Sequence, residues 1–400
     1  MSIDVKKLAA GYKEYGIRLR RELHMYPELG GREVRTAQRI EEELDKMGIP
    51  HRRVAATNVV GLIEGGEGPT IALRADIDGL PVEEDTGLEY RSKTEGIMHA
   101  CGHDGHIAAL LSAAGILQQS KEELNGKVKL IFQSAEENGT GAAELIEAGE
   151  LDDVEGIFGL HIWNYLDAGK IGVNAGPQMT EAIEFQIYLE GIPGHGSTPH
   201  LAADATLPIA ALAVQIMNLS GSKLPPLSDK VLTLGRIYSG PNRTIEHGDV
   251  YNVIQGNSYL EGSIRTFSDE EGEKFREEIE KLVKGTEIIY GVKGKLVWNV
   301  HTVALVNDEE MAETGRSACR KLWGDDVFDQ SFGKQMASED FALYRSKART
   351  CFAFVGSRNP AKNAVAAHHS PKFDIDEDAI EMASCLHAQF AIDFLKKCTR

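Results

Sequence analysis

Short apolar runs alternate with apolar residues at helical spacing through the first half of the chain. The apolar runs, each of a length suited to a buried strand, cover residues 70–75, 127–132 and 156–162. The helical spacing is found over residues 14–47, with a break at 27–31, and again over 107–117. Strands that alternate with helices in this way predict an α/β layer with a mostly parallel central sheet.

The pattern changes near residue 180. Residues 184–189 alternate between apolar and polar, as expected for a strand with one face in water. The following segments are typical of a helix, two strands and a charged helix, at residues 204–219, 231–238, 258–265 and 269–284. This order, closed by one more strand, is that of a small ferredoxin-like α+β domain. We therefore predict an α/β domain formed by residues 1–180 and 298–400, with an α+β domain inserted at 181–297.

Composition and charge narrow the class of protein. The 400 residues carry a formal net charge of −18, which repels nucleic acid and anionic membranes at long range. The chain has no apolar run of the roughly 18 residues that a membrane span requires, and its start lacks the apolar core of a secretory signal. The five cysteines are odd in number and scattered, unlike a disulfide framework. We expect a cytoplasmic protein that binds neither nucleic acid nor membranes.

Residues 98–106 hold the densest cluster of reactive side chains. Three histidines, one cysteine and one aspartate lie there, just before an apolar helix. Cys101 and His103 are spaced so that a thiolate and an imidazole can bind one metal ion. The alternative is a helix cap formed by Asp104 beside incidental histidines, but histidine is otherwise sparse in the chain. The cluster therefore indicates a metal site.

Further candidate ligands follow other strands. Glu136 and Glu137 come directly after the strand at 127–132. Neighbouring residues of an extended chain point in opposite directions, so one glutamate can bind metal while the other transfers protons. His161 ends the third strand and His369 lies near the C-terminus, and each alone is a weak signal because such a histidine is often a core residue. Together with the cysteine–histidine pair, these side chains form a ligand set suited to two metal ions.

Six segments of the sequence match one known family in the same order along the chain. They are RRELHMYPELG (20–30), RADIDGLP (74–81), MHACGHDGH (98–106), QSAEE (133–137), GHGSTPH (194–200) and HSPKF (369–373). With these segments the chain resembles the aminoacylase and carboxypeptidase type of two-metal peptidases, peptidase family M20, and specifically its amidohydrolase branch. The resemblance covers nearly the whole length.

The resemblance implies a metal centre in the α/β domain. Two divalent ions per chain, either Zn²⁺ or Mn²⁺, are expected, with the cysteine as the bridging ligand. The five implied ligands are Cys101, His103, Glu137, His161 and His369.

The resemblance also implies roles outside the ligand set. Glu136 is the expected general base, and Asp76 is the expected carboxylate that orients a ligand imidazole. His195, in the inserted domain, is expected to stabilise the oxyanion, while Asn252 and Arg265 are expected to bind the carboxylate of the substrate. The wider family has a histidine two positions before Asp76, and an arginine stands there in this chain, as is typical of the amidohydrolase branch.

The implied reaction is hydrolysis of the amide bond of an N-acyl amino acid, or of a similar small carboxylate-bearing amide, by a metal-activated water. Deacetylation or deamination of another small molecule, such as N-acetyldiaminopimelate or an aromatic amine, is the alternative. It stays open because Gln255 and Gly256 depart from the family pattern and the loop before them, with Arg243 and His247, is long. A catalytically silent binding protein would lack one of the metal ligands or the general base, whereas this chain has all five expected ligands and Glu136. The inserted domain is expected to act as a lid and to form a homodimer or homotetramer.

Overall fold

The computed structural model describes residues 3–240 and 251–397, so the loop with Arg243 and His247 lies outside the described residues. The α-helices are α1 (Val5–His24), α2 (Val34–Lys46), α3 (His103–Gln119), α4 (Gly141–Glu147), α5 (Thr206–Met217), α6 (Leu219–Ser222), α7 (Asp269–Tyr290), α8 (Glu309–Trp323) and α9 (Asp378–Lys397). The strands are β1 (His51–Val54), β2 (Asn58–Glu64), β3 (Thr70–Asp76), β4 (Lys127–Gln133), β5 (Gly156–Asp167), β6 (Ile171–Gly172), β7 (Gly176–Met179), β8 (Glu181–Glu190), β9 (Gly194–His195), β10 (Lys230–Ser239), β11 (Val253–Ile254), β12 (Asn257–Thr266), β13 (Lys293–Thr302), β14 (Leu305–Asn307) and β15 (Arg349–Arg358).

The chain forms two compact units. The first comprises Met1–Gln178, Val306–Lys334 and Glu339–Arg400, and the second comprises Met179–Leu305 and Gln335–Ser338. Each unit has its own cluster of buried apolar side chains.

A seven-stranded sheet forms the centre of the first unit, in the order β1-β2-β4-β3-β5-β15-β6. Its four middle strands, β4, β3, β5 and β15, run parallel, whereas the pairs at both edges are antiparallel. All residues of β3 are buried, as expected for a parallel strand covered on both faces. The predicted α/β fold with a mostly parallel sheet is therefore confirmed.

Helix α3 runs through the middle of the first unit. It is buried from His103 to Leu117 and packs against α1 and α9. A helix surrounded by protein on all sides needs no polar face, which explains its nearly continuous apolar sequence. Despite the apolar sequence of α3, no helix among the described residues is both long and apolar enough to cross a membrane. The helix begins at His103, earlier than its apolar pattern indicated.

The second unit contains a four-stranded antiparallel sheet in the order β10-β12-β8-β13. Burial alternates along β8, and its inward side chains pack with α5 and α7. The order of elements is consistent with the predicted ferredoxin-like arrangement. Strand β13 continues to Thr302, beyond the boundary placed at residue 297 from the sequence, because its pairing with β8 extends to Ala182.

Candidate metal centre

The parallel strands bring separate sequence segments to one edge of the sheet. In the register of β3, β4 and β5, Arg74 pairs with Ile131 and with Gly159. His161 lies two residues beyond Gly159 and Asp76 two residues beyond Arg74, so both reach the same level of the sheet. This level is the carboxyl end of β3 and β4, where α/β sheets place their ligand sites, while β5 continues to Asp167.

A left-handed turn after β4 positions the two adjacent glutamates. Ala135 has φ +53°, a conformation that costs a non-glycine residue free energy and is kept only where its surroundings enforce it. The enforcing contact is buried Glu33, whose carboxylate accepts the Ala135 N–H at 2.8 Å. Asp78 accepts the N–H of Glu137 at 3.0 Å. The turn thereby fixes the direction of Glu136 and Glu137.

The segment from Cys101 to His103 turns sharply into α3. Gly102 caps the helix with φ +92°, which favours glycine because a Cβ is strained there. His369 also has a left-handed backbone, with φ +63°, and its N–H donates to the Ala100 carbonyl at 2.8 Å. This bond joins the C-terminal ligand segment to the cysteine segment.

The five predicted ligands converge. The Sγ of Cys101 lies 3.4 Å from Nε2 of His161, while Oε1 of Glu137 lies 3.5 Å from Nε2 of His369 and 3.9 Å from Nε2 of His103. Two groups with donor atoms within 4.8 Å of one another share the cysteine, one with His103 and His161, the other with Glu137 and His369. A ligand common to two groups is what a bridge between two ions requires.

Two buried atoms of this set make no hydrogen bond within the part of the chain that the structure describes. They are Nε2 of His103 and Oε1 of Glu137, both inaccessible to solvent. Leaving such atoms unsatisfied costs about 1–3 kcal/mol each. A divalent cation between them would satisfy both, and a thiolate, imidazole and carboxylate set suits a transition-metal ion. The residues therefore fit the implied metal ions.

The hydrogen bonds of the ring nitrogens show which histidines can bind a metal ion. Nδ1 of His103 faces the carbonyl and carboxylate of Asp78 at 2.9 and 3.1 Å, and Nδ1 of His161 faces the Ile162 carbonyl at 2.8 Å. In the neutral ring, acceptors at Nδ1 place the proton there and leave Nε2 free to bind metal towards the centre, the usual arrangement of a metal-binding imidazole.

His106 was not singled out from the sequence, and its bonds exclude it as a ligand. Its Nδ1 is 2.5 Å from Oδ1 of Asp76, and its Nε2 accepts the Ile162 N–H at 2.8 Å. Asp76 was predicted to orient a ligand imidazole, and the imidazole it bonds is His106. The carboxylate on the Nδ1 of a predicted ligand, His103, is Asp78.

A buried arginine links the site to Glu339 and Asp340, which lie outside every motif of the sequence. Arg74 donates to Asp76 at 2.7 Å, to Glu339 at 2.9 Å and to Asp340 at 3.1 Å. The N–H of Asp340 in turn lies 3.4 Å from Oε1 of Glu136. The only sequence signal was an adjacent pair of acidic residues, a pattern common on protein surfaces.

Burial and neighbouring carboxylates shift the pKa values of two predicted ligands. Burial and the carboxylates of Glu137 and Glu136 raise the pKa of the Cys101 thiol far above its usual range. Burial lowers the pKa of His103, but Asp76 and a hydrogen bond to Asp78 outweigh it and raise that pKa to about 10. Without a metal ion, the site therefore holds protons where metal would bind.

The predicted residues of the second unit lie in two places. Short strands β9 and β11 pair His195 with Val253, and Nε2 of His195 is 3.1 Å from Nδ2 of Asn252. The Ser197 N–H donates to Nδ1 of His195 at 3.2 Å, and the Ser197 hydroxyl lies 2.7 Å from the same nitrogen. Arg265 is on β12 and donates to the Ser338 hydroxyl at 2.9 Å.

The segment 20–30 supplies a buried ion cluster beside the ligands. Arg20 is fully buried, and it donates to Asp104 at 2.7 Å and to Asp374 at 2.8 Å. Asp104 follows ligand His103 in sequence, and Asp374 lies a few residues after His369. Arg20 therefore ties the two ligand-bearing segments together.

Replacing Arg20 by methionine is expected to lower the free energy of unfolding by about 3–5 kcal/mol, because it removes the buried guanidinium that pairs with buried Asp104 and partly exposed Asp374. Arg21→Met is the matched control. Arg21 is 46% exposed and bonded to Glu377, and loss of a surface pair costs only about 0–1 kcal/mol. Chemical denaturation measures both variants, and equal small losses would contradict a structural role for Arg20.

Comparisons with known proteins agree with this geometry. The model of peptidase family M20/M25/M40 matches residues 72–393. N-acetyl-L-cysteine deacetylase of Bacillus subtilis is 38% identical over 92% of this chain and 85% of its own length. IAA-amino acid hydrolase ILR1-like 4 of Arabidopsis thaliana is 33% identical over 96% of this chain and 86% of its own. Bacillus subtilis YxeP, a solved structure described as a dinuclear metal binding peptidase, is 32% identical, with a TM-score of 0.83 over 97% of this chain and 99% of that one.

The family model spans most of the chain, and the relatives cover nearly all of it. Motifs from both ends of the sequence also meet at one site. The chain therefore belongs to peptidase family M20/M25/M40, as its motifs predicted, and is a hydrolase of carbon–nitrogen amide bonds.

Proposed function

We propose that this enzyme hydrolyses the amide bond of N-acyl amino acids with two divalent ions held by Cys101, His103, Glu137, His161 and His369. The observation that carries the proposal is the pair of ligand groups that share Cys101, with Glu136 beside them in a third group. The names of the deacetylase and the IAA-amino acid hydrolase support the substrate class, since both describe amides of amino acids.

The ions, when bound, supply Lewis-acid polarisation and lower the pKa of water towards about 7. Glu136 takes the proton of the attacking water and passes it to the leaving nitrogen. Burial, Glu339 and Glu137 raise the pKa of Glu136 well above its usual range, so this carboxylate can hold a proton between the two transfers. His195 is proposed to donate a hydrogen bond to the developing oxyanion.

The types of the ligand atoms narrow the identity of the two ions. A thiolate and imidazoles favour Zn²⁺, whereas the carboxylate of Glu137 also suits Mn²⁺. We propose one of these two, and metal analysis of the purified protein distinguishes them.

A hydrolysis screen tests the substrate class. The metal-loaded enzyme is offered acetyl-, benzoyl-, indoleacetyl- and long-chain-acyl amino acids, together with N-acetyldiaminopimelate and acylated aromatic amines. Cleavage of one or more N-acyl amino acids with the highest kcat/KM is the expected result. Preference for an amine without an α-carboxylate would overturn the proposed substrate class while leaving the reaction class intact.

Arg265 is proposed to bind the substrate carboxylate through its planar guanidinium. Arg265→Ala is expected to raise KM for an N-acyl amino acid by about 10–100-fold, the loss of a charge-assisted hydrogen bond, with little change for the corresponding α-amide. Arg236→Ala is the matched control, because Arg236 is 61% exposed on neighbouring β10. An equal rise in KM for both substrates would refute the carboxylate contact.

We propose that the enzyme is a homodimer formed through its second unit. Strand β10 is an edge strand, which can pair with another chain. On α5, Leu207 is 61% exposed, Val214 73% and Met217 47%. Their helical spacing places the three apolar side chains on one side of the helix. Analytical ultracentrifugation measures the mass directly, and a monomer at micromolar concentration would refute the proposal. A cytoplasmic location stays a prediction.

A further inference from the structure

His368 precedes the proposed ligand His369 and has no role in the proposed function. Its ring is stacked on Trp163, with centroids 4.5 Å apart and planes 30° apart, and it also contacts Phe373 at 4.9 Å. These contacts fix the plane of the imidazole. Its Nε2 accepts the backbone N–H of Asn164 at 3.0 Å, which fixes the direction in which the ring faces.

This bond determines where the ring proton lies. A peptide N–H can only donate, so Nε2 of His368 must be a bare acceptor and the proton of the neutral ring must lie on Nδ1. Nδ1 points at Cys101, with the sulfur 3.9 Å away, and the backbone carbonyl of Cys101 also faces the ring. His368 therefore presents an N–H to the residue that the two ligand groups share.

The same hydrogen bond gives His368 a different ring orientation from that of the predicted ligand histidines. His103 and His161 each place the proton outward on Nδ1 and keep Nε2 bare towards the centre. His368 does the reverse, with its bare nitrogen capped by backbone and its proton turned towards the sulfur. It is thus arranged as a donor to the ligand sulfur.

We propose that His368 is a positioning residue that donates its Nδ1–H to the Cys101 thiolate when Cys101 binds metal. The inference rests on the proposed function, in which Cys101 is the bridging ligand. Hydrogen bonds around a metal-bound sulfur orient its lone pairs and withdraw electron density from it. Asn164 also holds the segment that carries His368 in place. Its side chain donates to the carbonyls of Ala366 and Asp374, which lie before and after that segment.

Cobalt substitution tests the proposal by a readout other than activity. Co²⁺ bound to a thiolate shows a sulfur-to-metal charge-transfer band in the near ultraviolet. His368→Phe removes the donor but keeps a ring against Trp163, and His368→Gln keeps polarity but cannot place an N–H where Nδ1 lies. In both variants we expect the band to move to longer wavelength and the Co²⁺ affinity to fall by about 10–100-fold, the usual effect of losing a partner of a metal ligand.

His368→Asn is the rescue, because its amide nitrogen occupies the place of Nδ1, and it should keep the wild-type band. His387→Phe is the matched control. His387 is fully buried on α9 against Phe158 and makes no hydrogen bond to the residues that the structure describes, so its replacement can alter stability but not the band.

The outcomes separate the two hypotheses. A band and an affinity unchanged in both His368→Phe and His368→Gln would overturn the inference and leave the proposed function standing, since the N–H would then serve only the backbone carbonyl. A shift in His368→Asn as large as in His368→Phe would overturn it as well. Co²⁺ binding by the wild-type protein without any charge-transfer band would instead show that Cys101 is not a ligand, and the proposed metal site would fail.

Discussion

Glu136→Gln is expected to lower turnover by about 10²–10⁴-fold, the contribution of a general base, while metal content stays close to that of the wild type. Glutamine has the size of glutamate but cannot accept the proton of the attacking water. The side chain lies in a cluster of carboxylates that includes Glu137 and Glu339 and that raises its pKa, so a neutral amide in its place should not unfold the site. Steady-state kinetics and metal analysis of the same preparation measure the two quantities.

Glu137→Gln is the companion variant. Glu137 belongs to the ligand group with Cys101 and His369, so this variant should lose bound metal as well as turnover. Retention of metal by both variants, with turnover lost only in Glu137→Gln, would show that the two roles are reversed.

Removal of metal by a strong chelator is expected to abolish hydrolysis, and added Zn²⁺ or Mn²⁺ should restore it. The physical reason is that, among the described residues, buried Nε2 of His103 and Oε1 of Glu137 have no hydrogen-bond partner, and the Cys101 thiol has a raised pKa. The residues alone therefore form no competent site. Ion affinity should weaken as pH falls, because protonated His103 and Cys101 cannot bind metal.

Isothermal titration at several pH values measures this affinity together with the protons released. The His387→Phe variant serves as a control for nonspecific loss of affinity. Full turnover by protein shown to be free of metal would contradict the metal requirement outright.

The sequence alone determined the fold class and the chemistry. Apolar runs at 70–75, 127–132 and 156–162 predicted the strands that became β3, β4 and β5, because a strand buried on both faces has no polar side to obscure its signal. Motif order then identified the family. The five predicted ligands, from Cys101 to His369, converge because the motifs report local residue types that a metal centre requires.

Only the tertiary structure decided the relations between distant segments. No local pattern reveals that Arg74 bonds Glu339, since these residues meet through packing across the whole first unit. Asp76 is expected to orient a ligand imidazole; in the structure its hydrogen bond goes to His106, and its other oxygen lies 3.7 Å from Nε2 of the predicted ligand His103. The position of a ring proton depends on which backbone group lies opposite each nitrogen, and for His368 that group is the N–H of Asn164 on β5. Residue types can therefore be predicted from a motif, whereas the hydrogen bonds that give each histidine its role arise only when the strands and loops are packed together.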